Sequence, residues 1–385
     1  MPTRLLRNPN PMRALEDGGS SHDDVLAFHR RLPGYAPTPL VDAPTLAARL
    51  GVGRVWVKNE SSRLGLPAFK MLGASWATYR ALAARLGGSL EPWETIDELR
   101  AKVEALEPMT LAAATDGNHG RAVARMARLL GFAARIFVPA GTAAARIEGI
   151  ASEGAEVAVV DGSYDDAVAR AADLAGERCM VISDTAWPGY EEVPRWVIEG
   201  YSTIFAEVDG ALAEAGAAGP DIVAAQIGVG ALAAAVARHY RRAGVQPAPR
   251  ILGVEPRHAA CALASIEAGE IVTVPGPHDS IMAGLNCGTP SSVAWPDMRD
   301  GMDLFVAIED AWPRRAMRAL AEAGITAGET GSAGLAGLLA LLTGDGADAA
   351  RAALGATATS QVLLICTEGA TDPANYARIM AGAED

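Results

Sequence analysis

The chain has 385 residues, of which 50% are hydrophobic and 21% are charged, and its formal net charge is -13 at pH 7. That length is sufficient for two domains, or for one large α/β unit with a sizeable core. The acidic balance leaves no basic face to hold phosphate groups, so composition argues against nucleic acid and anionic membranes as partners.

The N-terminus does not resemble a secretion signal. Arg4 and Arg7 are followed by Asn8-Pro9-Asn10-Pro11, where a signal peptide would have its apolar core. No apolar run is long enough to cross a bilayer, and we therefore predict a cytoplasmic protein. The cysteines show no CxxC spacing, which argues against zinc ribbons and thioredoxin chemistry, and we predict no metal site.

Short apolar runs alternate with alanine-rich segments of helical spacing, such as Gly120–Leu130, Ala143–Glu153 and Ala231–Arg242. The runs predict strands at Val55–Lys58, Leu111–Ala114, Arg135–Val138, Val157–Val160, Met180–Ile182, Ile222–Ile227, Ile251–Val254 and Val362–Ile365. Continuous apolar strands are typical of a parallel sheet covered by helices on both faces, so the predicted class is α/β. Ligands of such sheets bind at the carboxyl ends of the strands. The first 20 residues and Gly344–Thr359 are predicted to be surface segments.

Lys70 is the first candidate for chemistry in chain order. It begins a predicted helix and lies among Phe69, Met71 and Leu72. Opposition to the helix dipole and loss of water both favour the neutral, nucleophilic form of an amine, which is the form that makes Schiff bases. The same position is also compatible with a surface lysine whose alkyl chain covers an apolar helix start.

A polar turn follows the predicted strand Leu111–Ala114. Asp116, Asn118 and His119 place a carboxylate, an amide and an imidazole within four residues, just before a helix. The first N–H groups of a helix have no intrahelical partner and point at whatever binds there. This turn therefore predicts part of an active site. His119 is compatible with a proton relay and with a helix-start histidine bonded to the backbone.

A second turn opens a helix after the predicted strand Ile222–Ile227. It consists of Gly228, Val229, Gly230, Ala231 and Leu232. Glycines allow close approach of the backbone and the helix dipole favours negative charge, so the turn predicts a phosphate site. The segment Gly228-x-Gly230-x-x-Ala233 also matches a relaxed dinucleotide fingerprint, with Glu255 placed as a ribose-binding acid. Close helix–strand packing alone is a third interpretation.

Two polar residues late in the chain complete the candidates. Thr367 follows the last predicted strand, where a hydroxyl can meet a ring nitrogen or simply cap the helix after Asp372-Pro373. Glu329 precedes a helical run, where it can line a cofactor pocket or be a charge favoured by a helix N-terminus.

In this order, the motifs resemble the tryptophan synthase β-subunit family of pyridoxal-phosphate enzymes (fold type II) over nearly the whole chain. Within that family they are most similar to the diaminopropionate ammonia-lyases. The resemblance is carried by Ala68-Phe69-Lys70, Ala114-Thr115-Asp116-Gly117-Asn118-His119-Gly120, Asp184-Thr185-Ala186-Trp187, Tyr190–Pro194, Met282–Gly288 and Thr367-Glu368-Gly369. Asp116 stands where serine or threonine dehydratases usually have serine.

The resemblance implies two domains, each with a mostly parallel twisted sheet flanked by helices, and pyridoxal 5'-phosphate in the cleft between them. It places a large cofactor-binding domain at 1–85 and 200–385 and a small mobile domain at 86–199. It also implies a homodimer that acts on a small amino acid. Cys261 and Cys287 could pair near the entrance, although a reducing cytoplasm favours free thiols.

Residue by residue, the resemblance implies that Lys70 forms the Schiff base with the cofactor and Asn118 bonds the ring hydroxyl oxygen. The backbone of Gly228–Leu232 would hold the phosphate, and Thr367 would contact the ring nitrogen. A neutral hydroxyl leaves that nitrogen unprotonated, which disfavours transamination relative to rapid β-elimination.

The expected substrate is 2,3-diaminopropionate, which carries a second ammonium where serine has a hydroxyl. A buried cation needs paired charge, and Asp116 and Asp184 both follow predicted strands. We expect Lys70 to take the α-proton of the L-isomer, Asp116 that of the D-isomer, and Asp184 to orient the amine. The products are pyruvate and two ammonia. The alternatives are a dehydratase-type elimination on another β-substituted amino acid and a nicotinamide oxidoreductase.

Overall fold

The computed structural model describes residues 3–12, 14–15, 22–245 and 247–382. These residues form two compact units. Unit 1 comprises the described residues of Met1–Gly19, Pro37–Ser62 and Ile204–Asp385, and unit 2 those of Ser20–Ala36 and Arg63–Thr203. Each unit contains its own sheet, which agrees with the predicted two-sheet α/β architecture.

The strands of the described residues are β1 (Arg4–Arg7), β2 (Leu40–Asp42), β3 (Arg54–Asn59), β4 (Thr110–Ala114), β5 (Ala133–Pro139), β6 (Glu156–Val160), β7 (Cys179–Val181), β8 (Ile222–Gln226), β9 (Arg250–Pro256), β10 (Leu304–Ile308) and β11 (Gln361–Cys366). The α-helices are α1 (His22–Arg30), α2 (Pro44–Leu50), α3 (Met71–Arg85), α4 (Ile96–Val103), α5 (Asn118–Leu130), α6 (Ala144–Ala151), α7 (Tyr164–Ala172), α8 (Glu192–Gly200), α9 (Ser202–Glu214), α10 (Ala231–Arg241), α11 (Cys261–Ala268), α12 (Trp295–Gly301), α13 (Ala311–Glu322), α14 (Ala333–Leu342), α15 (Ala347–Leu354) and α16 (Pro373–Met380).

The sheet of unit 1 has seven strands in the order β1-β10-β9-β8-β11-β3-β2. The five inner strands are parallel, and β1 and β2 pair antiparallel at the two edges. Every residue of β8 is buried, because helices cover both faces of a parallel sheet. The glycine turn at 228–232 and Thr367 follow β8 and β11, which are neighbours in this sheet.

The sheet of unit 2 has four parallel strands in the order β6-β5-β4-β7. Strand β4 pairs with β7, with Thr110 opposite Cys179 and Ala112 opposite Val181. The carboxyl ends of parallel neighbours lie at the same edge of the sheet. The turns that carry Asp116 and Asp184 therefore start side by side.

All eight predicted strands are present within one or two residues, whereas β1, β2 and β10 were not predicted. Strands β1 and β2 are short edge strands without a continuous apolar run, but β10 reads LFVAI and had a usable signal. The predicted surface segment Gly344–Thr359 is a partial error, because it contains α15, in which Ala350 and Leu354 are buried. Of the first 20 residues, 1–2, 13 and 16–20 lie outside the described residues.

The unit boundaries differ from the predicted 1–85, 86–199 and 200–385, because α1 and α3 belong to unit 2. The cause is close packing of α3 on α8. A Cβ atom at Gly73 would lie 2.7 Å from Tyr201 Cε1, and one at Gly200 would lie 2.5 Å from the Leu72 carbonyl oxygen. Lys70, just before α3, therefore lies in unit 2, whereas the boundaries implied by the resemblance place it in the large domain.

None of the helices in the described ranges has the length and apolar character needed to cross a membrane. The same part of the chain holds no cluster of three or more histidine, cysteine, aspartate or glutamate side chains able to bind a metal ion.

Candidate active site

Lys70 precedes the first residue of α3 and points its amine at Asp184. Its Nζ donates to Asp184 Oδ2 at 2.6 Å, with 21% of the lysine side chain and 7% of the aspartate side chain exposed. The rings of Phe69 and Tyr201 lie 5.3 and 6.0 Å from Nζ. The amine is thus partly removed from water and has a carboxylate partner within unit 2.

Asp184 follows β7 and is held by donors on both sides. Tyr164 donates its hydroxyl to Oδ1 at 3.2 Å, and Lys70 binds Oδ2. Burial alone would raise the pKa of this carboxyl, but the charge of Lys70 and the neighbouring His119 outweigh burial and hold the pKa below its usual range. Asp184 is consequently an ionised carboxylate at any physiological pH.

Asp116, in the turn after β4, has the opposite electrostatics. Burial raises the pKa of its carboxyl to about 7, and the charge of Asp184 acts in the same direction. Arg146 and Lys70 partly offset both effects. Arg146 packs over this turn, since a Cβ atom at Gly117 would lie 3.1 Å from Arg146 Cδ. Two carboxyl groups of unit 2 therefore differ in protonation near neutral pH, as is typical of acid–base sites.

The start of α5 is packed tightly against the turn that precedes it. A Cβ atom at Gly120 would lie 2.4 Å from Thr115 Cγ2 and 2.5 Å from Ile136 Cγ2, so only glycine fits there. Thr115 Oγ1 accepts from the Gly117 N–H at 2.9 Å, which closes the turn. Asn118 is consequently fixed as the first residue of α5.

His119 is a buried imidazole. Its Nε2–H donates to the Ile182 carbonyl oxygen at 2.7 Å, and its Nδ1 lies 4.0 Å from Asp184 Oδ2. Burial lowers the pKa of the ring. The bond to the backbone matches the structural interpretation of this residue, but the ring also borders Asp184.

In unit 1, the turn 228–232 brings the backbone into close contact with a neighbouring loop. A Cβ atom at Gly228 would lie 2.8 Å from the Gly284 carbonyl oxygen. Gly230 has φ +100° and lies against Met298, so a side chain there would be strained as well as crowded. Helix α10 starts immediately after it, and its first N–H groups have no intrahelical acceptor.

Thr367 follows β11 and is buried beside Gln226, the last residue of β8. Gln226 Nε2 lies 2.8 Å from Thr367 Oγ1 and donates to the hydroxyl. The hydroxyl is thereby held in place next to the glycine turn of the same unit.

A family model described as "Pyridoxal-phosphate dependent enzyme" matches residues 31–357. The chain belongs to this family. It is 37% identical to the diaminopropionate ammonia-lyase of Salmonella typhimurium over 95% of this chain and 93% of the relative. These figures confirm the resemblance found from the motifs.

Two solved structures are similar to this pyridoxal-phosphate dependent enzyme in fold as well as in sequence. Diaminopropionate ammonia lyase from Escherichia coli in complex with D-serine matches with a TM-score of 0.90 and 33% identity, over 98% of this chain and 97% of that chain. The same enzyme in complex with an aminoacrylate-PLP azomethine reaction intermediate matches with a TM-score of 0.85, 33% identity and the same coverage. The chain has the fold of type II pyridoxal-phosphate enzymes, as predicted.

The residues of each unit fit the cofactor. Unit 2 supplies a partly desolvated primary amine, Lys70. Unit 1 supplies a glycine turn at a helix start for a phosphate, and at Thr367 a buried hydroxyl for a ring atom. The Thr367 hydroxyl makes no hydrogen bond within the described residues other than the one it accepts from Gln226.

The nicotinamide alternative is wrong, because the family of the chain uses pyridoxal phosphate and because Glu255 is not available to a ribose. Glu255 is fully buried, and its two oxygens accept from the N–H groups of Ala262 and Leu263 at 2.7 and 2.8 Å. Its role is to cap α11. Burial raises its pKa to about 8.

The structure also shows what surrounds three other candidates from the sequence. Glu329 is buried and accepts from the side-chain amide of Asn375. Cys261 and Cys287 are both buried, and neither forms a disulfide. Cys261 Sγ lies 3.7 Å from the Gly228 carbonyl oxygen, and a Cβ atom at Gly228 would lie 3.3 Å from Cys287 Sγ.

Sequence reasoning missed Tyr164, Arg146 and Gln226. Gln226 had a signal, because it is the one strongly polar residue of an otherwise apolar strand that leads into the glycine turn. Tyr164 and Arg146 lie on α7 and α6, in which no pattern pointed toward Asp184 or Asp116.

Proposed function

We propose that the protein is an ammonia-lyase that converts 2,3-diaminopropionate to pyruvate and two ammonia. The observation that carries the proposal is the bond between Lys70 Nζ and Asp184 Oδ2, at 2.6 Å. It shows that this carboxylate binds a primary ammonium. A substrate with a second ammonium suits such a group, whereas the neutral hydroxyl of serine or threonine gains much less from an ionised carboxylate.

Pyridoxal phosphate supplies the carbonyl group that condenses with amines and the ring that withdraws electrons from the α-carbon. In this proposal, Lys70 is the residue that carries the cofactor and Asn118 binds the ring hydroxyl oxygen. The backbone of Gly228–Leu232 binds the phosphate and Thr367 bonds the ring nitrogen. These assignments rest on the matched motifs and on the fit described above for each unit.

The elimination needs one base and one leaving group. The base takes the α-proton, the C–H electrons form the Cα–Cβ double bond, and the β-ammonium leaves as neutral ammonia with the electrons of the Cβ–N bond. Hydrolysis of the resulting aminoacrylate releases the second ammonia. We assign the base to Lys70 for the L-isomer and to Asp116 for the D-isomer. A carboxyl with a pKa of about 7 is a competent base at neutral pH.

Asp184 acts differently from Asp116. It stays ionised because its pKa is held low, so it does not compete for the α-proton. Its part is to hold the β-ammonium, with Tyr164 fixing the other carboxylate oxygen. The D-serine complex of the Escherichia coli relative supports the inclusion of a D-isomer among the candidate ligands.

The test is pyruvate release by the holoenzyme from D- and L-diaminopropionate, D- and L-serine and L-threonine. We expect both diaminopropionate isomers to exceed the hydroxy amino acids in kcat/KM by at least tenfold. A preference for serine or threonine would replace this proposal by the dehydratase alternative. Borohydride reduction followed by peptide mapping should place the cofactor on Lys70.

We also propose a cytoplasmic homodimer, as the resemblance implies. Light scattering after size-exclusion chromatography tests the dimer, and cell fractionation tests the location. A monomer or a tetramer would contradict the first, and recovery in a membrane or secreted fraction the second.

A further inference from the structure

The side chain of Gln226 contacts three other residues of unit 1 through its amide nitrogen. Its Nε2 lies 3.1 Å from the Thr330 carbonyl oxygen, 3.0 Å from the Ile365 carbonyl oxygen and 2.8 Å from Thr367 Oγ1. Gln226 and Thr367 are 3% and 1% exposed. Water therefore does not compete for these bonds.

The orientation of this amide is dictated by its surroundings. If the amide were reversed, Oε1 would face two carbonyl oxygens at 3.0 and 3.1 Å, and both N–H groups would lose their acceptors. The NH2 group must therefore face Thr330, Ile365 and Thr367.

This orientation also decides what the Thr367 hydroxyl can do. An amide nitrogen has no lone pair to offer, so Thr367 cannot donate to Gln226 and must accept from it. The hydroxyl proton then points elsewhere, and no other side-chain bond of Thr367 exists in the part of the chain that the structure describes. A buried hydroxyl proton without an acceptor is costly, so a ligand atom that accepts from it is favoured.

We infer that Gln226 is a positioning residue that makes the Thr367 hydroxyl a hydrogen-bond donor and so keeps the cofactor ring nitrogen unprotonated. A protonated nitrogen would need an acceptor, and Thr367 could serve it only by leaving its own proton unpaired in a buried place. This inference rests on the proposed contact between Thr367 and the ring nitrogen. It adds Gln226 as the residue that determines whether the Thr367 hydroxyl donates or accepts in that bond.

The test is a double-mutant cycle on cofactor affinity with Gln226→Met, Thr367→Val and the double variant, measured by fluorescence titration of the apoproteins with pyridoxal phosphate. Methionine matches the length of glutamine but has no donor. We expect each single variant to bind about tenfold more weakly, which is the loss of one hydrogen bond of ordinary strength. We expect the double variant to bind no more weakly than Thr367→Val alone.

A second readout is independent of affinity. With ring-¹⁵N-labelled cofactor, the wild-type nitrogen should show the shift of an unprotonated, hydrogen-bonded pyridine from pH 6 to pH 9. In Gln226→Met the shift should move toward the value in Thr367→Val. If Gln226→Met does not fold, Gln226→Asn withdraws the same amide by one methylene and should give the same shift.

Two outcomes overturn the inference. If the losses of cofactor affinity in the two single variants add up in the double variant, Gln226 acts on the fold rather than through Thr367. An unchanged ¹⁵N shift in Gln226→Met or Gln226→Asn would show that the hydroxyl donates without help. A wild-type protein that binds no pyridoxal phosphate would instead overturn the proposed function, so the two failures are distinguishable.

Discussion

Asp116 and Asp184 start from neighbouring strands of one sheet, yet their carboxyl groups have opposite tendencies to ionise. The pKa of Asp116 is raised to about 7, whereas that of Asp184 is lowered. Burial acts in the same direction on both. The difference arises because Asp184 has Lys70 at 2.6 Å, while Asp116 has a carboxylate as well as cations near it. One group can thus accept a proton while the other keeps its charge.

Asp184→Asn should lower kcat/KM for diaminopropionate by about 10- to 100-fold, because a bond between an ammonium and a carboxylate is stronger than one to a neutral amide. Turnover of serine should fall much less. Steady-state pyruvate release on both substrates checks this. Asp173→Asn, an exposed carboxyl of the same unit, is the matched control and should leave both unchanged. Equal losses on diaminopropionate and serine would contradict a role in holding the ammonium.

Asp116→Asn should abolish turnover of the D-isomer more severely than that of the L-isomer. Loss of a general base costs about 10²- to 10⁴-fold, and in this proposal only the D-isomer uses this base. Parallel pyruvate assays with the two isomers measure the ratio. A uniform loss would rule out the stereochemical division of roles between Asp116 and Lys70.

The pH dependence of the D-isomer reaction should report Asp116. A carboxyl with a pKa of about 7 is protonated and inactive as a base below that pH, and ionised above it. We expect kcat/KM for D-diaminopropionate to rise as pH increases through about 7. In Asp116→Asn this rise should be absent from any residual activity. A flat wild-type profile between pH 6 and pH 8 would contradict the assignment.

The same group predicts a pH effect on stability. Because the folded pKa of Asp116 lies above its unfolded value of 3.8, the folded protein binds more protons between those two pH values. The contribution of Asp116 to the free energy of unfolding therefore decreases as pH rises from about 4 to about 7. Asp116→Asn should accordingly raise the melting temperature of the apoprotein at pH 8 relative to wild type, and less so at pH 5. The opposite order in thermal melts would contradict it.

Gly73→Ala should destabilise the protein by about 1–3 kcal/mol, which is typical of overpacking. The added methyl group would lie 2.7 Å from Tyr201 Cε1 and 2.8 Å from Val197 Cγ1, so α3 and α8 must separate. Gly88→Ala is the control, because nothing lies within 4 Å of its Cβ position and its φ is not positive. Urea unfolding of the three proteins gives the difference. Equal midpoints for Gly73→Ala and wild type would show that the helices adjust without cost.

Much of the fold was predictable because strands that are covered on both faces have continuous apolar sequences, and β8 has such a sequence. The same logic located the turns at Asp116 and Gly228, since ligands meet parallel sheets at strand ends. The edge strand β1 was not predictable in this way, because it has only partial burial and its partner β10 lies 300 residues later in the chain.

The unit that carries Lys70 was not predictable either. Periodicity shows that α3 is a helix, but its partner α8 is set by tertiary packing at Gly73 and Gly200. Likewise, the sequence placed Asp184 after a strand but could not show that Tyr164, twenty positions earlier, would donate to it. Contacts of this kind depend on how the helices pack in the folded protein, and no local sequence pattern indicates them.

The placement of Asp116 has an evolutionary consequence. Its side chain belongs to a turn, whereas the adjoining strand β4 is buried from Leu111 to Ala114. Replacing Asp116 by serine, which the resemblance places at this position in serine or threonine dehydratases, would remove the carboxyl that we propose as the base for the D-isomer without removing an apolar side chain from the core. Substrate range in this scaffold can therefore change by a single substitution that leaves the apolar core intact.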